Sequence, residues 1–408
     1  MSPATIRCQL RTDDTFEDHP PESPLCQSVP AKILLAANAG LVLRRWVGDL
    51  ISSNSMPKIF SDELERFARE VLVAARAPED VAELTSSALV AANLRGVDSH
   101  GIRLLPVYVE QLRSGDMDPH ARGRILSENQ ACLLFDAENG IGQPAAAQCC
   151  DHAVRLSRTF GLGFVIARNS NHFGAAAYWG TRMADQGQVG IVLCNASRLV
   201  APWQGREPRM GTNPICIAVP GPWLLDMSTT AVAANRIWAA VASKADSIPP
   251  GWALNIGGAP TSNPAEAIAG LLMPLGGQSA GHKGSGLAAA VEILCAVLGG
   301  GAMAGEVGSM HKRGRPVAVS QSFLAIDIER FMPLAEFKAR LERFVADLKS
   351  AAPAEGFDEV LTAGEPERRS EQERRRAGIP IPVEVWQALL DLSSQLGLNK
   401  PAASTSFI

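Results

Sequence analysis

The run Arg95-Gly96-Val97-Asp98-Ser99-His100-Gly101-Ile102-Arg103 holds the densest chemistry in the chain. A helical pattern runs into it and stops at Gly96, a residue that tolerates the left-handed conformation ending many helices. A second helical pattern starts behind it, with Asp98 or Ser99 placed to accept its first free N–H groups. His100 then falls in the first turn, and Arg103 lies about one turn on, on the same face. An imidazole that titrates near neutrality and a permanent cation project side by side, which suits proton transfer on a small carboxylate. The same spacing describes a capping turn with an exposed histidine, and the segment alone leaves both open.

Further stretches carry anchoring groups between predicted elements. Arg168-Asn169-Ser170-Asn171-His172-Phe173-Gly174 follows a strand and opens a helix, where amides and His172 can meet a phosphate or an amide; an Asn/Ser cap with a surface histidine fits equally. Gly211-Thr212-Asn213-Pro214 reads as a turn before a strand. Asp226-Met227-Ser228-Thr229-Thr230 ends a strand with a carboxylate and hydroxyls, placed for a site or for a cap. Gly281-His282-Lys283-Gly284-Ser285-Gly286 opens a helix, as a phosphate cradle with Lys283 as its cation or as a glycine-rich turn with a solvated lysine.

Composition narrows the classes. The 408 residues suffice for one large core or two moderate ones, and 46% hydrophobic with 20% charged residues is a soluble globular balance. A net charge of -4 gives no electrostatic reason to expect nucleic acid. No apolar stretch reaches the length of a membrane span. Cys8, Cys26, Cys132, Cys149, Cys150, Cys194, Cys216 and Cys295 form no CxxC pair and sit mostly in apolar runs, as buried thiols of a reducing, cytoplasmic compartment. The G-x-x-x-x-G-K-[ST] pattern nearly matches at 276–283 but has His282 after its second glycine. G-x-G-x-x-G in a βαβ setting and H-E-x-x-H are missing. Cys149-Cys150-Asp151-His152 lies in a helical pattern without a second ligand cluster, so no metal is expected.

The elements that must position these groups follow from periodicity. Residues 1–55 mix acidic loop, prolines and one short apolar run, and are expected to be a disordered extension or a misassigned start. Helices are expected from Ser61, from Pro78 to Gly96, and from Leu105 to Gly115. Strands at 131–135, 163–167, 189–194, 215–219, 223–226 and 324–327 roughly alternate with helices at 142–160, 173–186, 264–272 and 286–298. Helices at 331–348 and 382–396 close the chain. The fold class is α/β (α+β): a discontinuous helical domain from 56–128 and 328–408, around an inserted α/β domain at 129–327.

From about Met56 to Leu398 the chain resembles the type-2 malate/L-lactate dehydrogenase family of NAD(P)-dependent oxidoreductases. The matching stretches are RGVDSHGIRLLPVYVEQLRSG at 95–115, ARNSNHFGAAAYWG at 167–180, APWQGREPRMGTNPICIAVP at 201–220, LLDMST at 224–229, IPPGWAL at 248–254, GHKGSGLA at 281–288, FLAID at 323–327 and AGEPERR at 363–369. Each is short; they occur in family order across most of the chain.

The resemblance implies a cofactor site that is not of Rossmann type, consistent with the missing G-x-G-x-x-G. It implies His100 as proton donor to the substrate, assisted by Ser99, and Thr212 as a substrate contact. His172, Phe173, Gly174, Ala175 and Ala176, with Asp226, Met227, Ser228, His282, Lys283, Gly364, Glu365 and Pro366, would hold NAD or NADP. Family members are typically homodimers with sites near the subunit interface. The implied reaction moves a hydride between NAD(P) and a small 2-hydroxy or 2-oxo acid of malate or lactate type. A cyclic imino acid reductase with the same site, or an inactive member acting as a binding protein, are the alternatives. The chain departs from the family at two points. Many relatives place the substrate-binding arginine four residues after the histidine, where this chain has Leu104 and carries Arg103 one position earlier. At 320–323 it has Ser-Gln-Ser-Phe, where many relatives carry a histidine before the aromatic.

Overall fold

The computed structural model describes residues 56–402. The expectation for 1–55 lies outside the described residues. β1 (Lys58–Ile59) leads into α1 (Ser61–Ala74) and α2 (Glu79–Leu94). Leu64, Phe67, Ala68, Val71 and Leu72 bury one face of α1 at helical spacing. Phe60 occupies the cap position of α1, without a side-chain bond. Short 3-10 turns at Asp98–His100 and Ile102–Leu104 separate α2 from α3 (Leu105–Ser114). The run holding His100 is therefore not the start of a regular helix, and neither Asp98 nor Ser99 caps one.

The middle of the chain builds one seven-stranded sheet. β2 (Arg124–Asn129) and β3 (Cys132–Asp136) form a hairpin, and α4 (Gly142–Phe160) crosses to β4 (Leu162–Ser170). α5 (Ala176–Ala184) precedes β5 (Gln188–Cys194), followed by β6 (Ile215–Ala218) and β7 (Leu224–Met227). A small lobe then follows, with α6 (Ala234–Ala242), β8 (Ala253–Leu254), β9 (Pro260–Thr261), α7 (Pro264–Ala269) and β10 (Leu271–Leu272). α8 (Gly277–Glu292) runs on as a π-helical turn, Ile293–Val297. β11 (Val319–Asp327) returns to the centre of the large sheet, whose order is β2-β3-β4-β11-β5-β6-β7. Only β3 and β4 pair in parallel; every other pair in that sheet is antiparallel. Such a sheet lacks the parallel switch point at which a G-x-G-x-x-G turn grips a dinucleotide.

The far end of the chain contributes α9 (Leu334–Lys349), α10 (Glu365–Ala377), β12 (Ile379–Pro380) and α11 (Val383–Leu396). β12 pairs antiparallel with β1. One core joins Ile59, Phe67, Leu89 and Tyr108 from the start to Ile379, Ile381 and Leu389 from the end. A second core lies under the large sheet around Phe135, Trp179, Val192 and Phe323.

Several boundaries differ from expectation. The helix expected from 173 begins at Ala176, because Gly174 is left-handed at φ 80. The strand expected at 324–327 starts at Val319, and 271–272 is a strand and not a helix end. The helix expected from 286 begins at Gly277, with a kink at Ala280. α10 was not anticipated: its sequence EPERRSEQERRRA has no apolar stripe, and Glu365 is its only buried residue. Ion pairs Glu365–Arg369 and Glu371–Arg375 at helical spacing support it. Of the described cysteines Cys132 is exposed, against the expectation of buried thiols, while Cys149, Cys150, Cys194, Cys216 and Cys295 are buried. Among the described residues no helix is long and apolar enough to cross a membrane.

Candidate active site

The loop between α2 and α3 is fixed by side chains reaching it from outside. Asn93 in the last turn of α2 accepts the Ile102 amide on Oδ1 at 2.7 Å and donates Nδ2 to Asp98 at 2.6 Å. The Asp98 carboxylate also takes both arms of the Arg374 guanidinium, at 2.7 and 3.0 Å. Between these anchors, Ser99 Oγ lies 2.9 Å from His100 Nδ1. With Ser99 accepting from Nδ1–H, the Nε2 lone pair of His100 is left to take a proton.

His172, from the turn after β4, stacks on His100 with ring centroids 5.5 Å apart. Its tautomer is set by its neighbours. The Gly174 amide donates to His172 Nδ1 at 3.3 Å, and Tyr108 Oη sits 2.7 Å from the same nitrogen. Gln143 Nε2 donates to Tyr108 Oη at 3.0 Å, so the phenol passes its own proton on to His172. Nδ1 is therefore an acceptor, and His172 carries its proton on Nε2 as a donor.

Burial decides the charge of this pair. It pushes His100 down to about 4, with Arg103 adding to the shift. It pushes His172 down to about 3, with His100 and His311 adding. Burial also holds the Tyr108 hydroxyl well above its usual range. Both imidazoles are neutral at pH 7.

A second group of predicted residues is fixed by bonds of its own. Asp226 Oδ2 accepts the Ala177 amide at 2.8 Å, so the start of α5 is occupied by a carboxylate of the protein. Desolvation pushes the Asp226 carboxyl upward, opposed by the Ala177 amide and Arg95, while the residue remains exposed. Met227 ends β7, and Ser228 Oγ bonds to Thr230 Oγ1 at 2.7 Å. The Thr212 carbonyl is held by Thr229 through its amide at 2.9 Å and its hydroxyl at 3.1 Å. Asn213 beside it is left-handed at φ 35 and donates to the buried Glu292 carboxylate at 3.2 Å.

Not every predicted residue offers its side chain. Phe173 is buried, packed against Trp179 and Phe323, and Ala175 and Ala176 are buried as well, so this turn presents backbone and His172. Glu365 is engaged by Lys349 and Arg369, and Lys349 above all holds its carboxyl down at about 2. The Glu365 amide donates to the Thr362 carbonyl and the Gly364 carbonyl accepts the Arg368 amide, so the backbone of this turn is largely engaged within the protein. His282 and Lys283 are exposed on α8 beyond the kink, with the His282 ring edge-on to Trp203 at 6.0 Å. Leu104 is buried in the helical core, while Arg103 is exposed and reaches His100 electrostatically.

Asn93, Tyr108, Gln143 and Arg374 complete the site and were not anticipated as members of it. Tyr108 lay on an apolar helical stripe, and a buried hydroxyl there was the available signal. Arg374 lies in the helix whose pattern gave no stripe at all.

The residues present fit a dinucleotide. Arg95 Nε is buried and without a hydrogen-bond partner among the described residues. At Gly364, left-handed at φ 82, a Cβ would sit 2.8 Å from the Leu224 carbonyl, so the turn packs this closely against β7 only as glycine. An unpartnered guanidinium nitrogen of this kind is what a phosphate requires.

A family model described as malate/L-lactate dehydrogenase matches residues 59–390. The malate dehydrogenase of Pyrococcus horikoshii is 36% identical over 349 residues, covering 84% of this chain and 96% of that one. Its solved structure superposes with a TM-score of 0.79 over 85% of this chain and 98% of that chain. The (2R)-3-sulfolactate dehydrogenase (NADP(+)) of Chromohalobacter salexigens is 37% identical over 275 residues, covering 66% of this chain and 80% of the other. The delta1-piperideine-2-carboxylate reductase of Pseudomonas syringae pvar. tomato superposes with a TM-score of 0.71 at 27% identity, over 82% of this chain and 99% of that chain.

Proposed function

The chain belongs to the malate/L-lactate dehydrogenase family and is an NAD(P)-dependent oxidoreductase of small 2-hydroxy and 2-oxo acids, and from that premise we propose that His100 carries the proton of the reaction. The observation behind this is the neutral, stacked histidine pair, in which Ser99 fixes one nitrogen of His100 and the Tyr108–Gly174 donors fix one nitrogen of His172.

When bound, the nicotinamide supplies or accepts the hydride at C2 of the substrate. In the oxidative direction, neutral His100 takes the hydroxyl proton on Nε2 while Nδ1–H stays on Ser99. In the reductive direction, protonated His100 gives that proton to the oxygen on which charge builds. His172 cannot compete for it, being neutral and held as the Nε2–H donor, and it orients polar groups of substrate or cofactor. Arg103 and Thr212 hold the substrate carboxylate. The His172 turn, Asp226, Met227, Ser228, His282, Lys283 and the Gly364 turn hold NAD or NADP.

We read 56–128 with 328–408 as a discontinuous helical domain and 129–327 as the cofactor domain. We also read the protein as a cytoplasmic homodimer. Exposed apolar side chains on the π-helical turn support a subunit contact there: Ile293 at 54%, Val297 at 55% and Leu298 at 61% exposure.

The substrate is of malate or lactate type. A cyclic imino acid is the second reading, favoured by the fold match to the piperideine carboxylate reductase. A panel of 2-oxo acids and cyclic imines, each with NADH and NADPH, separates the two: turnover of imines alone overturns the hydroxy-acid substrate. Lys283→Ala should weaken cofactor binding several-fold in a fluorescence titration while leaving turnover at saturating cofactor within about twofold. A phosphate contact made equally in ground and transition states behaves that way. Unchanged affinity removes Lys283 from the cofactor site.

A further inference from the structure

The proton-transfer turn and the dinucleotide turn are joined by one helix. α10 starts at Glu365, just after the Gly364 cap, and Arg374 follows about two and a half turns later. Its guanidinium grips Asp98 with both arms and also donates to the Asn93 carbonyl. Ser370, one turn earlier, donates to the Leu94 carbonyl at 3.2 Å. Side chains of α10 thus satisfy the carbonyls left open at the end of α2. Arg374 is 17% exposed and Asp98 37%, so the pair is largely shielded, and Asp98 directly precedes Ser99 and His100.

We propose that Arg374 is a positioning residue for hydride transfer: through Asp98 it holds the Ser99–His100 turn in register with the dinucleotide turn at the other end of α10. This rests on His100 carrying the proton. A planar fork on a carboxylate fixes direction as well as distance, which a point charge does not. The 3-10 turn it holds has no regular helix of its own to keep it in place. A displacement of about 1 Å at a reacting group costs up to about a hundredfold in rate.

Arg374→Gln should lower turnover by about ten- to a hundredfold at saturating substrate and cofactor. Cofactor Kd and substrate KM should stay within about threefold, because the Arg374 guanidinium is taken up by Asp98 and the Asn93 carbonyl. Arg374→Lys, keeping the charge without the fork, should fall between. Arg375→Gln, which breaks only the exposed pair with Glu371 on the same helix, should behave as the unaltered enzyme. Combining Arg374→Gln with Asp98→Asn should cost little more than either alone. If Arg374→Gln does not fold, Asp98→Asn and Arg374→Lys carry the same test. The proposal is overturned if turnover stays within twofold, if Arg375→Gln loses as much, or if cofactor affinity falls in parallel with turnover. Full activity of a His100→Asn enzyme would instead overturn the role of His100; an inactive one beside a fully active Arg374→Gln enzyme overturns the positioning role alone.

Discussion

Replacing His100 with asparagine should lower turnover by roughly two to four orders of magnitude, the usual scale of general acid–base catalysis. Asparagine keeps a polar group beside Ser99 and removes the nitrogen that takes the proton. His100 is half-buried and belongs to neither apolar core, so stability should change little. Cofactor affinity by fluorescence should match the unaltered enzyme. A variant that binds cofactor normally and turns over at near the original rate would return the Ser99–His100 turn to a purely structural role.

The same residue fixes the pH dependence. With His100 lowered to about 4 by burial and Arg103, the free enzyme holds it neutral across the neutral range. Oxidation needs the neutral ring, so its kcat/KM should be level through neutrality and fall only as pH drops through about 4. Reduction needs the protonated ring, so its kcat/KM should decline as pH rises above that value. In kcat both limbs should move upward, because a bound substrate carboxylate favours the imidazolium. Limbs of the same sign in the two directions would show that another group carries the proton.

What could be read beforehand depended on which physical signal each element carries. α4 was legible residue for residue, because its apolar stripe repeats at helical spacing and is bounded by Gly142 and Phe160. α10 was invisible for the opposite reason: its stability comes from ion pairs and from side chains bonding to α2, which leave no periodic apolar trace. The histidines were found by residue type and motif. What makes them a pair was not, since the stack of His100 on His172 joins segments distant in sequence. Tyr108 illustrates the limit: an aromatic on a core-facing stripe looks like packing, and only the fold shows its hydroxyl between Gln143 and His172. Leu104 is clearer in hindsight: its own side chain packs into the helical core, and the exposed cation of this turn is Arg103.

The second large effect is expected at Gly101. Its backbone, at φ -95 and ψ -151, is open to any residue, so the constraint is space and not conformation. A Cβ there would lie 2.2 Å from Asn93 Oδ1 and 2.6 Å from Nδ2. Asn93 is buried, and its two polar atoms are the ones that hold the Ile102 amide and Asp98. Gly101→Ala must therefore expel the asparagine from both bonds, leaving a buried amide unpartnered. That costs about 1–3 kcal/mol, read as a drop in melting temperature of about 2–4 °C per kcal/mol. Turnover should fall by about ten- to a hundredfold, because the displaced bonds are those that bracket Ser99 and His100. Adding Asn93→Ala removes the colliding atoms, so the double variant should be no worse than Asn93→Ala alone. Strict additivity of the two losses would mean that the methyl group damages the turn by some route other than Asn93. A Gly101→Ala enzyme with unaltered stability and turnover would show that Asn93 yields freely and does not hold the catalytic turn.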